Sequence, residues 1–206
     1  DALSEMGLNI LREAEFEVVY KLNPPSDELT SLVSDVDGWI VRSGTKISKE
    51  NIEDAKKLQI IGRAGVGTDN IDIDAATSRG IVVMNVPDGN TISAAEHTMA
   101  MLCALSRNIQ IGHSTLSRGS WERHNLTGSE LLGKTLGVVG LGHIGKTVVE
   151  KALALGMKVI GNDKREISRD FVKKTGIKMF SLNELLKRAD FVTLHCDLNN
   201  TSFHLI

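Results

Sequence analysis

The sequence predicts an α/β fold with parallel sheets in two units, and three observations carry that expectation. Short apolar runs alternate with helical patterns along the chain. A cluster of turn residues, "VPDGN" (86–90), interrupts that alternation near the middle. The segment "GVVGLGHIGK" (137–146) sets three glycines between an apolar run and a helix start. Strands separated by single helices imply βαβ units, whose strands pair in parallel. Of the 206 residues, 41% are hydrophobic and 24% charged, which is apolar surface enough for a core of ordinary size.

The first unit is expected over residues 1–88. Leu3, Ile10, Leu11 and Ala14 mark a helical stripe, and "FEVVY" (16–20) is a short β-rich run. "SDELTSLV" (26–33) reads as helix and "GWIVRS" (38–43) as a buried strand. Ser48 can cap the helix "KENIEDAKK" (49–57), which leads to the strand "LQIIGR" (58–63). "IDIDAATSRG" (71–80) ends on a glycine suited to closing a helix, and "IVVMNV" (81–86) is the next strand.

The second unit, 89–206, opens with "ISAAEHTMAMLCAL" (92–105), a buried helix in which Ser93 and Glu96 have capping-box spacing. A polar stretch, "SRGSWERHNLTGSE" (117–130), follows. "KTLGVVG" (134–140), "KVIGND" (158–163) and "DFVTLHC" (190–196) read as strands. "HIGKTVVEKALALG" (143–156) and "SLNELLKRA" (181–189) read as helices, the latter with Ser181 and Glu184 in a second capping box.

Composition narrows the function. A net charge of −2 offers no basic surplus for nucleic acid. Cys103 and Cys196 lie far apart, with neither CxxC nor metal-ligand spacing, and read as reduced thiols. No run reaches the roughly 18 apolar residues of a membrane span, and no basic-then-apolar leader pattern is present. The expectation is therefore a cytoplasmic protein with no metal, no nucleic acid and no membrane partner.

The glycine loop carries the chemistry. Gly140 would make the tight turn after the strand, Gly142 would let backbone approach a pyrophosphate, and Gly145 would let helix pack close to strand. The phosphates would meet the N–H groups of the helix N-terminus, where the macrodipole favours negative charge. Asp163 ends the next strand, near the offset of about 20 residues at which an acid accepts hydrogen bonds from an adenosine ribose. This spacing predicts a Rossmann-like dinucleotide site. The Asp163 carboxylate favours NAD, because it would repel a 2′-phosphate. Lys164 and Arg165 follow at once and leave NADP open, either as phosphate partners or as solvated loop charges.

Several longer phrases point further. "VRSGTK" (41–46), the run "GRAGVGTDNIDIDAATSRGIVVMNVPDGNTISAAEHT" (62–98), "GLGHIG" (140–145) and "TLHC" (193–196) resemble the D-2-hydroxyacid dehydrogenases over nearly the whole chain. That resemblance implies two Rossmann-like domains, a flavodoxin-like substrate domain and an NAD-binding domain, with the active site in the cleft between them. It implies a small phosphorylated 2-hydroxy or 2-keto acid as substrate and a homodimer or homotetramer as the assembled form. Carried over by residue, Arg63, Ala64, Gly65 and Val66 would lie in the loop whose N–H groups meet the substrate carboxylate, with Val66 also approaching the coenzyme. Arg42 and Ser43 match a pair that meets the substrate's distal end. His143 and Ile144 match the backbone pair over the pyrophosphate, Asp163 the ribose acid, and Cys196 a position beside the cofactor. A phosphate and a carboxylate on one small molecule need such fixed cations and aimed N–H groups.

The chain departs from the family in stated ways. Many members carry arginine at the position of His143, so one cation near the pyrophosphate is lost. Arg123 in "WERHN" (121–125) could serve a substrate phosphate, a subunit interface or neither. The family's catalytic arginine, glutamate and histidine follow the strand matched here by "TLHC", so no catalytic residue is assigned. The family also begins with a strand where this chain opens in a helix pattern. Both domains are accordingly expected to be incomplete, as part of a longer enzyme. Two alternatives stay open: a member acting on a bare hydroxy acid of the hydroxypyruvate or glyoxylate type, and a non-catalytic NAD-sensing corepressor, which the tail "TLHCDLNNTSFHLI" (193–206) also resembles.

Overall fold

The computed structural model describes residues 1–22, 24–199 and 201–206. Two compact units form, Asp1–Asn90 and Thr91–Ile206, so the joint falls at the end of the turn cluster.

In the first unit the elements run α1 (Glu5–Glu13), α2 (Ser26–Val33), β1 (Gly38–Val41), α3 (Lys49–Asp54), β2 (Ile60–Arg63), α4 (Ile73–Ser78) and β3 (Val82–Asn85). The strands pair in parallel in the order β1-β2-β3, with Val41 opposite Arg63 and Arg63 opposite Asn85. All three therefore end at the same edge. Ser48 caps α3 in a reciprocal box with Asn51, and Asp72 caps α4 by accepting from the Ala75 N–H. The core gathers Val41, Ile52, Ile61, Ala76 and Ile81.

The second unit contains α5 (Thr91–Ser106), α6 (Ile109–Ser117), a 3-10 turn at Arg123–Asn125, β4 (Thr135–Val139), α7 (His143–Ala154), β5 (Lys158–Asn162), α8 (Arg169–Thr175), β6 (Lys178–Met179), α9 (Leu182–Arg188) and β7 (Phe191–Leu194). Its parallel sheet has the order β6-β5-β4-β7. The chain leaves β4 toward β5 on one side and returns to β7 on the other. The strand order thus reverses beside β4, the place where open α/β sheets bind ligands.

Several elements differ from expectation. "FEVVY" forms no strand: none of β1–β3 pairs with it, and its Phe16 N–H instead donates to the Leu11 carbonyl at 3.1 Å. The helical stripe at the start is centred on buried Leu8, while Ile10 is exposed, and Ser4 caps the helix. Strand 38–43 shortens to Gly38–Val41 and is buried on one face only, with Ile40 42% exposed. The long helix begins at Thr91, so Ser93 lies inside its first turn rather than ahead of it. That helix is also only half buried. Ala95 and Met99 share the core with Val148, Val149 and Ala152 of α7, while Met101 and Leu105 are 59% and 70% exposed. Ser181 caps α9 through the Glu184 N–H, but the Glu184 carboxylate turns to Arg188 instead of completing the box. Helices α6 and α8 and strand β6 are elements beyond those expected; α8 and β6 are short and charged, and α6 is a nine-residue stretch without Asp, Glu, Lys or Arg.

Close packing of α9 on β4 depends on Gly137, where a Cβ would meet the Leu185 side chain at 2.5 Å. Leu185 is fully buried there. Leu185→Ala should lower unfolding free energy by about 2–5 kcal/mol, read as a fall in urea midpoint with unchanged slope.

Candidate functional site

The glycine loop is built where three strand ends meet. In register, Val139 stands opposite Asn162 on β5 and Leu194 on β7, so Gly140, Asp163 and His195–Cys196 emerge side by side. The Gly140 N–H donates to the Asn162 carbonyl at 2.8 Å, and the His195 N–H to the Val139 carbonyl at 2.7 Å. Gly140 has φ of +90°, and a Cβ on it would fall 2.6 Å from the His195 carbonyl. Gly145 sits one helical turn along, where a Cβ would lie 2.0 Å from the Gly140 carbonyl oxygen. Both contacts are backbone against backbone, so neither position accepts a side chain.

Gly142 differs from these two. Its φ of −70° suits any residue, and a Cβ there would meet only Arg165 Nη2, at 3.9 Å. The exposed surface of the loop therefore passes over Gly142 and the first turn of α7, whose N–H groups find no acceptor within the helix. The N–H groups of a helix N-terminus beside a glycine loop suit a pyrophosphate. His143 and Ile144 lie in that first turn, His143 exposed and Ile144 partly buried against the core.

Asp163 closes the site from β5. One carboxylate oxygen accepts from the Leu141 N–H at 2.6 Å and the other from the Arg165 N–H at 2.8 Å. The Arg165 guanidinium lies 3.5 Å away, and the Asp163 side chain is only 6% exposed. Burial opposes the charge, but the two N–H donors and the guanidinium outweigh it and hold the carboxyl below its usual pKa. Asp163 is thus charged at neutral pH and still has lone pairs for hydroxyl donors. Lys164 is hydrogen-bonded through Nζ to Thr201 Oγ1. His195 Nε2 meets Thr193 Oγ1 at 3.0 Å, and burial pushes that imidazole toward its neutral form. Cys196 is an exposed free thiol.

In the first unit the candidates gather at the shared C-terminal edge of β1–β3. Arg42 and Ser43 follow β1, and Ala64, Gly65 and Val66 follow Arg63 at the end of β2. The Ala64 N–H donates to the Val41 carbonyl at 2.8 Å, which ties the two strand ends. Val66 is held from β3, its carbonyl accepting from Asn85 Nδ2 at 2.7 Å. The Arg63 guanidinium folds over Gly65, where a Cβ would displace it, and its buried Nε has no hydrogen-bond partner. Arg42 and Ser43 are exposed, and Arg42 Nη1 reaches the Ala2 carbonyl at 3.4 Å.

Sequence reasoning missed two kinds of residue. In the sequence Arg165 reads only as a cofactor-phosphate partner or a loop charge, yet it braces Asp163 over the glycine loop. Asn70, Asn85 and Asp1 hold the first unit's loops through long-range contacts that local patterns do not reveal. Among the described residues no cluster of His, Cys, Asp and Glu could hold a metal ion, and no helix is long and apolar enough to cross a membrane.

Comparison with known proteins gives a consistent set of relatives. The pattern of the D-isomer specific 2-hydroxyacid dehydrogenase catalytic domain matches residues 1–195. D-3-phosphoglycerate dehydrogenase of Methanocaldococcus jannaschii is 48% identical over 208 residues, which cover 100% of this chain and 39% of that protein. The human D-3-phosphoglycerate dehydrogenase is 43% identical over 201 residues, covering 96% of this chain and 37% of that one. The chain thus spans about two fifths of the length of these curated relatives. A Thermus thermophilus protein of known structure superposes with a TM-score of 0.88 at 35% identity, covering 99% of this chain and 65% of its own. D-lactate dehydrogenase from Aquifex aeolicus, complexed with NAD and lactic acid, superposes at 0.83 with 28% identity, covering 97% of this chain and 60% of its own.

Two stability measurements follow from the loop geometry. Gly145→Ala must push helix from strand and should lose about 1–3 kcal/mol or more, whereas Gly142→Ala should leave urea stability unchanged or slightly raised. Asp163→Asn should lower stability by about 1.5–3 kcal/mol at neutral pH, since an amide offers one acceptor where the carboxylate offers two. Because the folded pKa is depressed, Asp163 stabilises the fold above the unfolded carboxyl value near 3.9, and that contribution fades as pH falls through the folded pKa. The two proteins should therefore converge in stability below about pH 4.

Proposed function

This chain belongs to the D-isomer-specific 2-hydroxyacid dehydrogenase family, and we propose that it supplies the coenzyme loop and substrate loops of an NAD-dependent oxidoreductase. The proposed reaction interconverts 3-phosphoglycerate and 3-phosphohydroxypyruvate, the entry to serine biosynthesis. The single observation carrying the coenzyme assignment is Asp163, charged and nearly buried, bridged to the glycine loop through the Leu141 N–H at 2.6 Å. That bridge fixes the ribose acid relative to the pyrophosphate cradle.

In this reading Gly140, Gly142 and Gly145 shape the cradle, and the N–H groups of His143 and Ile144 meet the pyrophosphate. Asp163 accepts from the adenosine ribose hydroxyls, with Cys196 alongside the cofactor. Bound NAD supplies the two-electron hydride carrier. The substrate carboxylate is taken at the loop of Ala64, Gly65 and Val66 with Arg63, a guanidinium being suited to a carboxylate. Arg42 and Ser43 take the distal phosphate. The relatives' names support the phosphorylated substrate. The loss of the usual arginine at His143 removes one cation but leaves the backbone contacts.

Two measurements test the assignment. Gly142→Ala, which the fold tolerates, should weaken NADH binding at least about tenfold by fluorescence titration, because the methyl occupies the phosphate surface. Unchanged affinity would remove the coenzyme from this loop. Arg42→Ala should raise KM for 3-phosphoglycerate about tenfold or more while shifting KM for unphosphorylated D-glycerate little. Equal effects on both would favour a bare hydroxy acid as the substrate.

A further inference from the structure

The backbone of the Arg42–Thr45 loop is clamped from both sides by two side chains outside the proposed substrate contacts. On one side Asn70 Nδ2 donates to the Arg42 carbonyl at 2.8 Å and to the Thr45 carbonyl at 2.6 Å. On the other, a single Asp1 carboxylate oxygen accepts from the Arg42 N–H at 2.7 Å and the Thr45 N–H at 3.1 Å. All four polar backbone groups of Arg42 and Thr45 are thereby engaged. The turn leaves no room for a residue larger than glycine at 44 without moving Asp1, since a Cβ there would lie 2.4 Å from Asp1 Oδ1.

Asn70 itself belongs to the other loop, the one that follows β2 and carries Ala64, Gly65 and Val66. Its own carbonyl accepts from the Ile47 N–H at 2.8 Å, and the Asp72 N–H donates to the Ile47 carbonyl at 2.9 Å, so the two loops are stitched together just beyond the sheet. Asn70 Oδ1 is buried and has no hydrogen-bond partner. The amide is therefore turned to serve the two carbonyls at the expense of its own acceptor.

We propose that Asn70, with Asp1 opposite it, is a positioning residue for substrate: it fixes the Arg42–Thr45 turn on the loop of Ala64–Val66, so that the distal-anion contact and the carboxylate contact stand at one separation. This rests on the reading of Arg42 and Ser43 as partners of the substrate's distal phosphate. Discrimination between phosphorylated and unphosphorylated substrate then depends on a residue that touches neither.

The test uses the protein at its natural length, with Asn70→Ala, Arg42→Ala and the double variant. KM for 3-phosphoglycerate and for D-glycerate, the dissociation constant for NADH, and Tm are measured on each. Asn70→Ala is expected to raise KM for 3-phosphoglycerate about tenfold, as the loss of two hydrogen bonds would, with KM for D-glycerate and NADH affinity within about twofold of the parent. The double variant is expected to be no worse than Arg42→Ala, because both act through one contact. A phosphate-selective Arg42→Ala beside an Asn70→Ala that keeps parental KM, or raises both KM values equally, overturns the positioning role alone. An Arg42→Ala without phosphate selectivity overturns the substrate reading and this role with it. If Asn70→Ala does not fold, Asp1→Ala, which releases the turn from its other side, must show the same selective rise, and its failure to do so sinks the proposal.

Discussion

At the head of α7 the carbonyl oxygen of Gly140 occupies the space that a Cβ on Gly145 would need, with 2.0 Å between them. This approach of strand end to helix is possible only without side chains, and most of the second unit is arranged around it. It brings the first turn of α7 directly over the end of β4 and lets Val148, Val149 and Ala152 reach Leu136 and Val138 in one buried cluster. It leaves Gly142, half-buried, under no such constraint. Packing and ligand chemistry thus place different demands on three glycines of one motif.

The charge arrangement follows from the same approach. With the glycine loop drawn tight, the Leu141 N–H points to β5, and Asp163 is the group that receives it. The carboxylate then needs a second donor and a cation to remain ionised where it is nearly buried, and Arg165 provides both through its N–H and guanidinium. A group held below its normal pKa by three partners is a stable acceptor for hydroxyls at any physiological pH. In the first unit the corresponding charge is Arg63, whose buried Nε has no partner, and whose guanidinium lies on a loop of backbone N–H groups. The second unit thus holds a carboxylate that stays ionised, and the first a guanidinium whose buried Nε has no partner.

The first unit also shows how a small sheet makes a site from loops. β1 and β2 end in register at Val41 and Arg63, so the segments that follow start as neighbours. Neighbouring loops are not yet a rigid pair, since loop backbone with unpaired groups opens readily to water. Asn70 and Asp1 convert adjacency into fixed geometry by taking every polar backbone group of Arg42 and Thr45.

What could be read from residues in order was whatever local chemistry decides. The strand–glycine–helix succession at 134–156, the capping serines at 48 and 181, the glycine closing α4 and the acid ending β5 all announce themselves within a few residues, because turn sterics and helix termini are local problems. Where the outcome depended on a distant partner, the sequence was silent or misleading. "FEVVY" has the composition of a strand, yet finds no ladder in the sheet β1-β2-β3. The helix of 92–105 reads as buried, yet Met101 and Leu105 are exposed while Ala95 and Met99 join the core with α7. Asn70 is one polar residue in a turn until folding brings it against Arg42 and Thr45, 28 and 25 positions away. The sequence by itself determined the strand–glycine–helix succession at 134–156 and the starts of the helices that Ser48 and Ser181 cap. Only the tertiary structure decided which faces are buried and which side chains hold the loops, because those outcomes are set by contacts between residues that the chain keeps far apart until it folds.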